Sequence, residues 1–375
     1  MIPSGSLPAL EPLEIHSGMI FGRRRVPGPR TVGDPHAPLS VREAMEALLR
    51  PALEKPPCMV AFSGGLDSST ILAVATDVAR RFRLEDPVPL TFRYQSHPRT
   101  WEAEWQELMV RHLGLKDWKI VDFQAEFDVL GPMAREALRR HGLYWPPNSH
   151  TTIPMLEAAR GGSLLTGNGG DEVFRSVTKM KTMTPMQILR SMPPHRALTV
   201  GLVNSLPLRW KIFAQYRHGL AFPWLRRSAR REVRRRFVDN AVQRRRGERH
   251  YLEQLGESRY LELELAIAAA LARDANVDLV DPFFEPPFLR ALLAGTPEAG
   301  FPSRNAALEH FFGDLLPPEL TRRTSKAVFT ESFWGPDSRE FARRWDGRGL
   351  DPSLMRVDAL RSQWLRPRPD MRSAT

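Results

Sequence analysis

The chain of 375 residues has 42% hydrophobic content, a formal net charge of +11 and one cysteine. Such a length can bury one large α/β core and still build a further lobe, while no apolar run reaches the roughly eighteen residues needed to cross a bilayer. A single cysteine excludes an internal disulfide framework and fits a reducing, cytoplasmic setting.

The first 40 residues are rich in proline, glycine and arginine, as in Arg23-Arg24-Arg25-Val26-Pro27-Gly28-Pro29-Arg30, and are expected to form a lead-in arm. Met1 to Ser6 has neither the basic nor the apolar region of a signal peptide. Residues 41–335 are expected to form the main body, α/β to about residue 175 and helical beyond it, with 336–375 as a C-terminal extension. Cys58-Met59-Val60-Ala61-Phe62 is apolar and of strand length, which makes Cys58 a small buried hydrophobe rather than a reactive thiol. Ser63-Gly64-Gly65-Leu66-Asp67-Ser68-Ser69 follows at once and opens a helical pattern running to Phe82. Two glycines permit a tight turn with inward amides, and serine hydroxyls plus a helix N-terminus supply donors for an anion. Asp67 would repel a bare phosphate, so its presence implies a bridging Mg2+. No Gly-Lys-Ser/Thr follows, and the spacing is not G-x-G-x-x-G. The segment resembles the S-G-G-x-D-S loop of the PP-loop ATP pyrophosphatases, which bind the pyrophosphate part of ATP and release it whole.

A strand at Val88 to Phe92, a helix at Trp101 to Leu113 and a strand at Trp118 to Phe123 come next, then helices at Arg135 to His141 and Ile153 to Arg160. Strands separated by helices imply parallel crossovers, whose ligand sites lie at the strands' carboxyl ends. The loop Arg93 to Arg99 stands where the resemblance places adenosine recognition; within it His97 reads as a solvated loop histidine. Glu102 and Glu104 suit a helix N-terminus without further task. In the bend Tyr144-Trp145-Pro146-Pro147-Asn148-Ser149-His150, the aromatic pair either lines a pocket or packs the turn.

Ser163-Leu164-Leu165-Thr166 is a further short strand, and Gly167-Asn168-Gly169-Gly170-Asp171-Glu172-Val173-Phe174 is a second glycine-rich turn entering a helix. Taken with the first loop, it resembles the S-G-x-G-x-D-E segment in the synthetase domain of class B asparagine synthetases, β-lactam synthetases and lasso-peptide macrolactam synthetases. The resemblance runs from about residue 40 to about residue 335. It implies a doubly wound parallel sheet followed by a mainly helical lobe, with ATP cradled by Ser63 to Ser69 and Gly167 to Gly170. It also implies that Asp67 and Asp171 share the Mg2+ ions; the bare reading of Asp171 is a carboxylate complementing a helix dipole.

Beyond residue 175 helical patterns dominate, most clearly from Tyr251 to Ala275, and Pro282-Phe283-Phe284-Glu285 resembles the family's structural P-F-L-D segment. Lys326 stands in Arg322-Arg323-Thr324-Ser325-Lys326, in a chain with only seven lysines. The resemblance implies a catalytic lysine there, stabilising negative charge during adenylation and in the tetrahedral intermediate. Arg226 to Arg249 holds eleven arginines against Glu232, Asp239 and Glu248, and so carries most of the net charge. It reads either as a solvated helix or as a face for an acidic peptide or protein partner; no nucleic-acid-binding module accompanies it.

Two departures shape the expected chemistry. Residue 2 is isoleucine, not the cysteine nucleophile of a glutaminase, and about forty residues are too few for that domain, so the amine is expected from outside the chain. Asn168 occupies the position of a glutamate in asparagine synthetases and of a tyrosine in β-lactam synthetases, and an amide cannot act as a base. The reading is an ATP-dependent, AMP-forming ligase that adenylates a carboxylate and passes the acyl group to an amine, with a peptide macrolactam or another specialised metabolite as product and the base unassigned. A PP-loop enzyme acting on an RNA base and a non-catalytic binding module are the alternatives.

Overall fold

The computed structural model describes residues 7–23, 39–94, 102–123, 127–177, 207, 209–210, 212–213, 221–244, 252, 255–297, 300–323 and 333–374. Helix α1 (Pro12–Ser17) comes first, then α2 (Val41–Leu53), capped by Ser40, whose hydroxyl accepts from the Glu43 N–H while the Glu43 carboxylate returns to the Ser40 N–H. Strand β1 (Cys58–Ala61) and α3 (Leu66–Arg81) flank the first glycine loop; β2 (Val88–Tyr94), α4 (Ala103–Leu113), β3 (Lys119–Phe123), α5 (Pro132–His141) and α6 (Ile153–Ala158) follow. Strand β4 (Ser163–Leu165) and α7 (Gly170–Ser176) flank the second loop.

The helical region continues with α8 (Arg227–Arg244) and α9 (Arg259–Ala275), returns to the sheet as β5 (Asp278–Val280), and closes with α10 (Pro286–Gly295), α11 (Arg304–Phe312), α12 (Pro318–Thr321), α13 (Pro336–Arg344) and α14 (Val357–Trp364). The predicted helix from Tyr251 to Ala275 breaks at Ser258, which bridges to Arg23 and caps α9 by accepting from the Leu261 N–H. Helix α5 begins three residues before the expected Arg135 because Pro132, with its fixed φ, starts it.

All five strands are parallel in the order β3-β2-β1-β4-β5. Strands β2 and β3 extend to one side of β1 while β4 and β5 extend to the other, so the switch point falls between β1 and β4, and a crevice opens at their carboxyl ends. The period of two along β1 sends Cys58, Val60 and Phe62 into the core formed with α2, α3, α10 and α11, and Met59 into the opposite core with α6 and α9. Burying each large aliphatic or aromatic side chain there is worth about 1.5–3 kcal/mol. Helices thus cover both faces, as the sequence predicts. Strand β5 was not predicted: three residues inside a helical stretch give no pattern of their own, and pairing of Leu164 with Leu279 makes them a strand.

The lead-in segment, read as an arm, is anchored where it is described. Arg259 and Glu14 form a buried ion pair at 2.7 Å, and Arg259 also donates to the Ala9 carbonyl. Trp224 donates to the His16 carbonyl, and α8 buries Ala229 and Val233 with Trp345, Met355 and Leu360 in a separate core. Among the described residues no helix is long and apolar enough to cross a membrane.

Candidate active site

The first loop is held by its own serines. The Ser63 hydroxyl lies 3.1 Å from that of Ser68 and accepts from the Gly65 N–H, while Ser68 accepts from the Ser63 N–H and donates to the Gly65 carbonyl. Gly64 turns the chain at φ +83°, a conformation glycine adopts without strain. Gly65 caps α3 with no side-chain bond, so the first-turn amides of a 16-residue helix remain available to an anion. Leu66 and Ser69 are buried beneath, the latter fully.

Arg323 braces this loop from outside. Its guanidinium donates to the Gly64 carbonyl at 3.1 Å, pairs with both oxygens of Glu102 and lies 5.0 Å from the Trp105 ring centre. Both members of the ion pair are only 7% exposed. Glu102, expected merely to complement a helix dipole, is therefore the counter-ion of a buried arginine, and Gln106 one turn on donates to the Ser63 carbonyl. Asn305 adds a second tie, donating to the Thr321 and Arg323 carbonyls at 2.9 and 3.0 Å. Lys326 itself lies outside the described residues, three positions after this anchor.

The second loop packs on the first at a distance only glycine allows. A Cβ at Gly167 would sit 2.8 Å from the Ser68 nitrogen, and one at Gly170 would collide with the Asp67 carboxylate. Asn168 is fixed from below: its N–H donates to Thr166 Oγ1, Thr166 donates to Asp281, and the Asn168 side chain bonds the same carboxylate. Burial holds the Asp281 carboxyl above its ordinary range despite these donors. The Phe284 ring packs against Gly169, so the Pro282 to Glu285 segment positions the loop.

Asp67 and Asp171 converge on one cation. Arg304, in the first turn of α11, pairs through a terminal nitrogen with Asp67, and its Nε lies 3.3 Å from Asp171 Oδ1. Two carboxylates from two loops thus face a shared positive charge, a donor set that suits Mg2+. Among the described residues no cluster of three or more His, Cys, Asp or Glu forms a metal cage, so an ion here would complete its shell with phosphate oxygens and water.

Asp67 and Arg304 line a cavity of about 530 Å³ at the switch point, within the size range of small-molecule sites. Ser63, Asp67, Asn168 and Arg304 form one part of its wall; Pro146, Asn148 and Ser149 form another, and Glu264 of α9 a third. The bend at Tyr144 to His150 does reach the pocket, though not through its aromatic pair. Tyr144 is buried in the core beneath β4, and Trp145 packs edge-on against Tyr260. Residues 95–99 of the expected adenosine loop and 245–249 of the basic stretch lie outside the described residues. Within α8, Arg235 and Arg236 pair with Glu232, and Arg236 also with Glu11.

Sequence reasoning missed Arg304, Arg323, Asp281 and Glu264. Arg304 and Arg323 carry no local signal in a chain so rich in arginine. Glu264 did carry one: a carboxylate inside the apolar run that predicts a buried helix.

No curated protein matches this chain. Among solved structures, NAD+ synthetase from Burkholderia pseudomallei shares 15% identity over 56% of this chain and 91% of its own, with a TM-score of 0.22. The family model for asparagine synthase matches residues 40–366. The chain belongs to the asparagine synthase family and is an ATP-dependent ligase.

Proposed function

We propose that this ligase adenylates a carboxylate, releasing pyrophosphate, and then transfers the acyl group to an amine, releasing AMP. A free carboxylate resists amines because its oxygen leaves poorly; AMP leaves well. The observation that carries the reading is the convergence of Asp67 and Asp171, each in the first turn of a helix behind a glycine loop, on the one cation Arg304, which with Asp67 lines the cavity. Asp67 and Asp171 would hold Mg2+, which supplies charge neutralisation at the phosphates when bound. Ser63, Ser68 and the open first turn of α3 bind the departing pyrophosphate, and Arg323 keeps Gly64 in place. Lys326 is the cation assigned to the oxyanion. A peptide or other specialised-metabolite carboxylate is the substrate class proposed, macrolactam formation included, and the exposed arginines of α8 the surface for an acidic partner.

The test is exchange of labelled pyrophosphate into ATP across a panel of amino-acid and peptide carboxylates, comparing wild type with Asp67→Ala and Lys326→Ala. Carboxylate-dependent exchange that both variants reduce by at least about a hundredfold is expected. Release of ADP instead of AMP, or exchange indifferent to Asp67, would overturn the proposal.

A further inference from the structure

Asn168 is locked to Asp281 and carries no basic atom, so the step that forms the amide needs a proton acceptor from elsewhere in the cavity. Arg304 and Arg323 are cationic; Asp67 and Asp171 are committed to the first, and Glu102, the other carboxylate of the cavity wall, to the second. Ser149, Thr151 and Thr152 offer hydroxyls only. Glu264 remains. It projects from the second turn of α9 into the same cavity as Asn168, and its Oε2 is buried with no hydrogen-bond partner.

Resting on the acyl-transfer reading above, we propose that Glu264 is the general base that receives the proton of the incoming amine. The ammonium gives one proton to Glu264 Oε2, and the freed lone pair forms the C–N bond at the acyl carbon. The C–O bond to AMP then breaks with its electron pair on the phosphate, which carries away the second N–H proton. One amide, one AMP monoanion and one protonated Glu264 result, so charge and atoms balance.

The surroundings suit the task. Burial, with the nearby charges of Asp281 across the sheet end and Glu172 on α7, raises the Glu264 carboxyl to about 7, against one lowering contact from Tyr260 on its own helix. The 149–152 turn packed against α9 contributes His150, which is buried and bonded to the Phe127 and Pro147 carbonyls. A base poised near neutrality both takes and releases a proton readily.

Two measurements test this. At pH 8, methylammonium chloride should raise the wild-type melting temperature by about 2 °C more than tetramethylammonium chloride at equal concentration, since only the former has N–H groups to donate. In Glu264→Gln the difference should vanish. With the carboxylate identified by the exchange panel, Glu264→Gln should lose amide formation with methylamine about 10²–10⁴-fold more than it loses pyrophosphate exchange, and Glu264→Asp should recover part of it. A methylammonium effect that is absent in wild type or survives in Glu264→Gln overturns the proposal. So does full amide formation by Glu264→Gln. Absence of exchange in the wild-type protein would instead count against the adenylation reading, leaving the methylammonium result to stand or fall alone.

Discussion

Arg304 sets the electrostatics between the two loops. Its guanidinium offsets one of the two negative charges of Asp67 and Asp171, and any divalent ion must compete with it for those oxygens. Removing it by Arg304→Ala is expected to tighten binding of free Mn2+, read by electron paramagnetic resonance, about tenfold, which corresponds to about 1.4 kcal/mol. Unchanged Mn2+ affinity would show that the arginine does not compete. Arg323 is a different case, because its fork spans Glu102 and the Gly64 carbonyl while its flat face lies by Trp105. A lysine cannot reproduce that fork. Arg323→Ala should cost about 3–5 kcal/mol in denaturant unfolding, since it leaves a buried carboxylate unpaired, and Arg323→Lys, which keeps the charge without the fork, should cost less. A cost below about 1 kcal/mol for Arg323→Ala would mean that the pair is dispensable.

At the scale of elements, the loop-on-loop contact decides the site. Gly170 opens α7, where alanine is the better helix former by about 1 kcal/mol, so Gly170→Ala should not lower the melting temperature through the helix itself. It should instead turn the Asp67 carboxylate aside. The expected result is a folded protein without the melting-temperature rise that Mg-ATP gives the wild type; a retained rise would refute the argument. Both loops, four of the five strands and the helices between them were legible in the chain because each carries its own local pattern: apolar runs of period two, paired glycines, and a carboxylate in a helix's first turn. The residues that complete the site were not, because their roles exist only across the fold. Arg304 is 237 positions from Asp67, Asp281 lies 115 from Thr166, and Arg323 lies 221 from Glu102. Nothing local distinguishes such a side chain from a solvated one.

The whole molecule should record the buried acids in its response to pH. Glu264 has an ordinary value of 4.5 and is raised to about 7 in the folded protein, so its contribution to stability is complete below 4.5 and is lost as pH rises through about 7. The melting temperature of Glu264→Gln should therefore match wild type near pH 4.5 and exceed it above pH 7; parallel curves would contradict the burial argument. Arg259, which joins the N-terminal segment to α9 through Glu14, should cost about 3–5 kcal/mol when replaced by alanine, measured by urea unfolding.

Strand order has a further consequence for how this chain is made. The switch-point strand β4 has one edge on β1 and the other on β5, and β5 ends at Val280. On a translating ribosome, both glycine loops therefore emerge more than a hundred residues before the strand that covers the outer edge of β4. During that interval the nascent polypeptide exposes an unpaired strand edge beside an uncovered core, the condition that invites association between chains. A fragment released at residue 177 should accordingly aggregate, whereas one reaching past α11 can close its sheet before it leaves the ribosome.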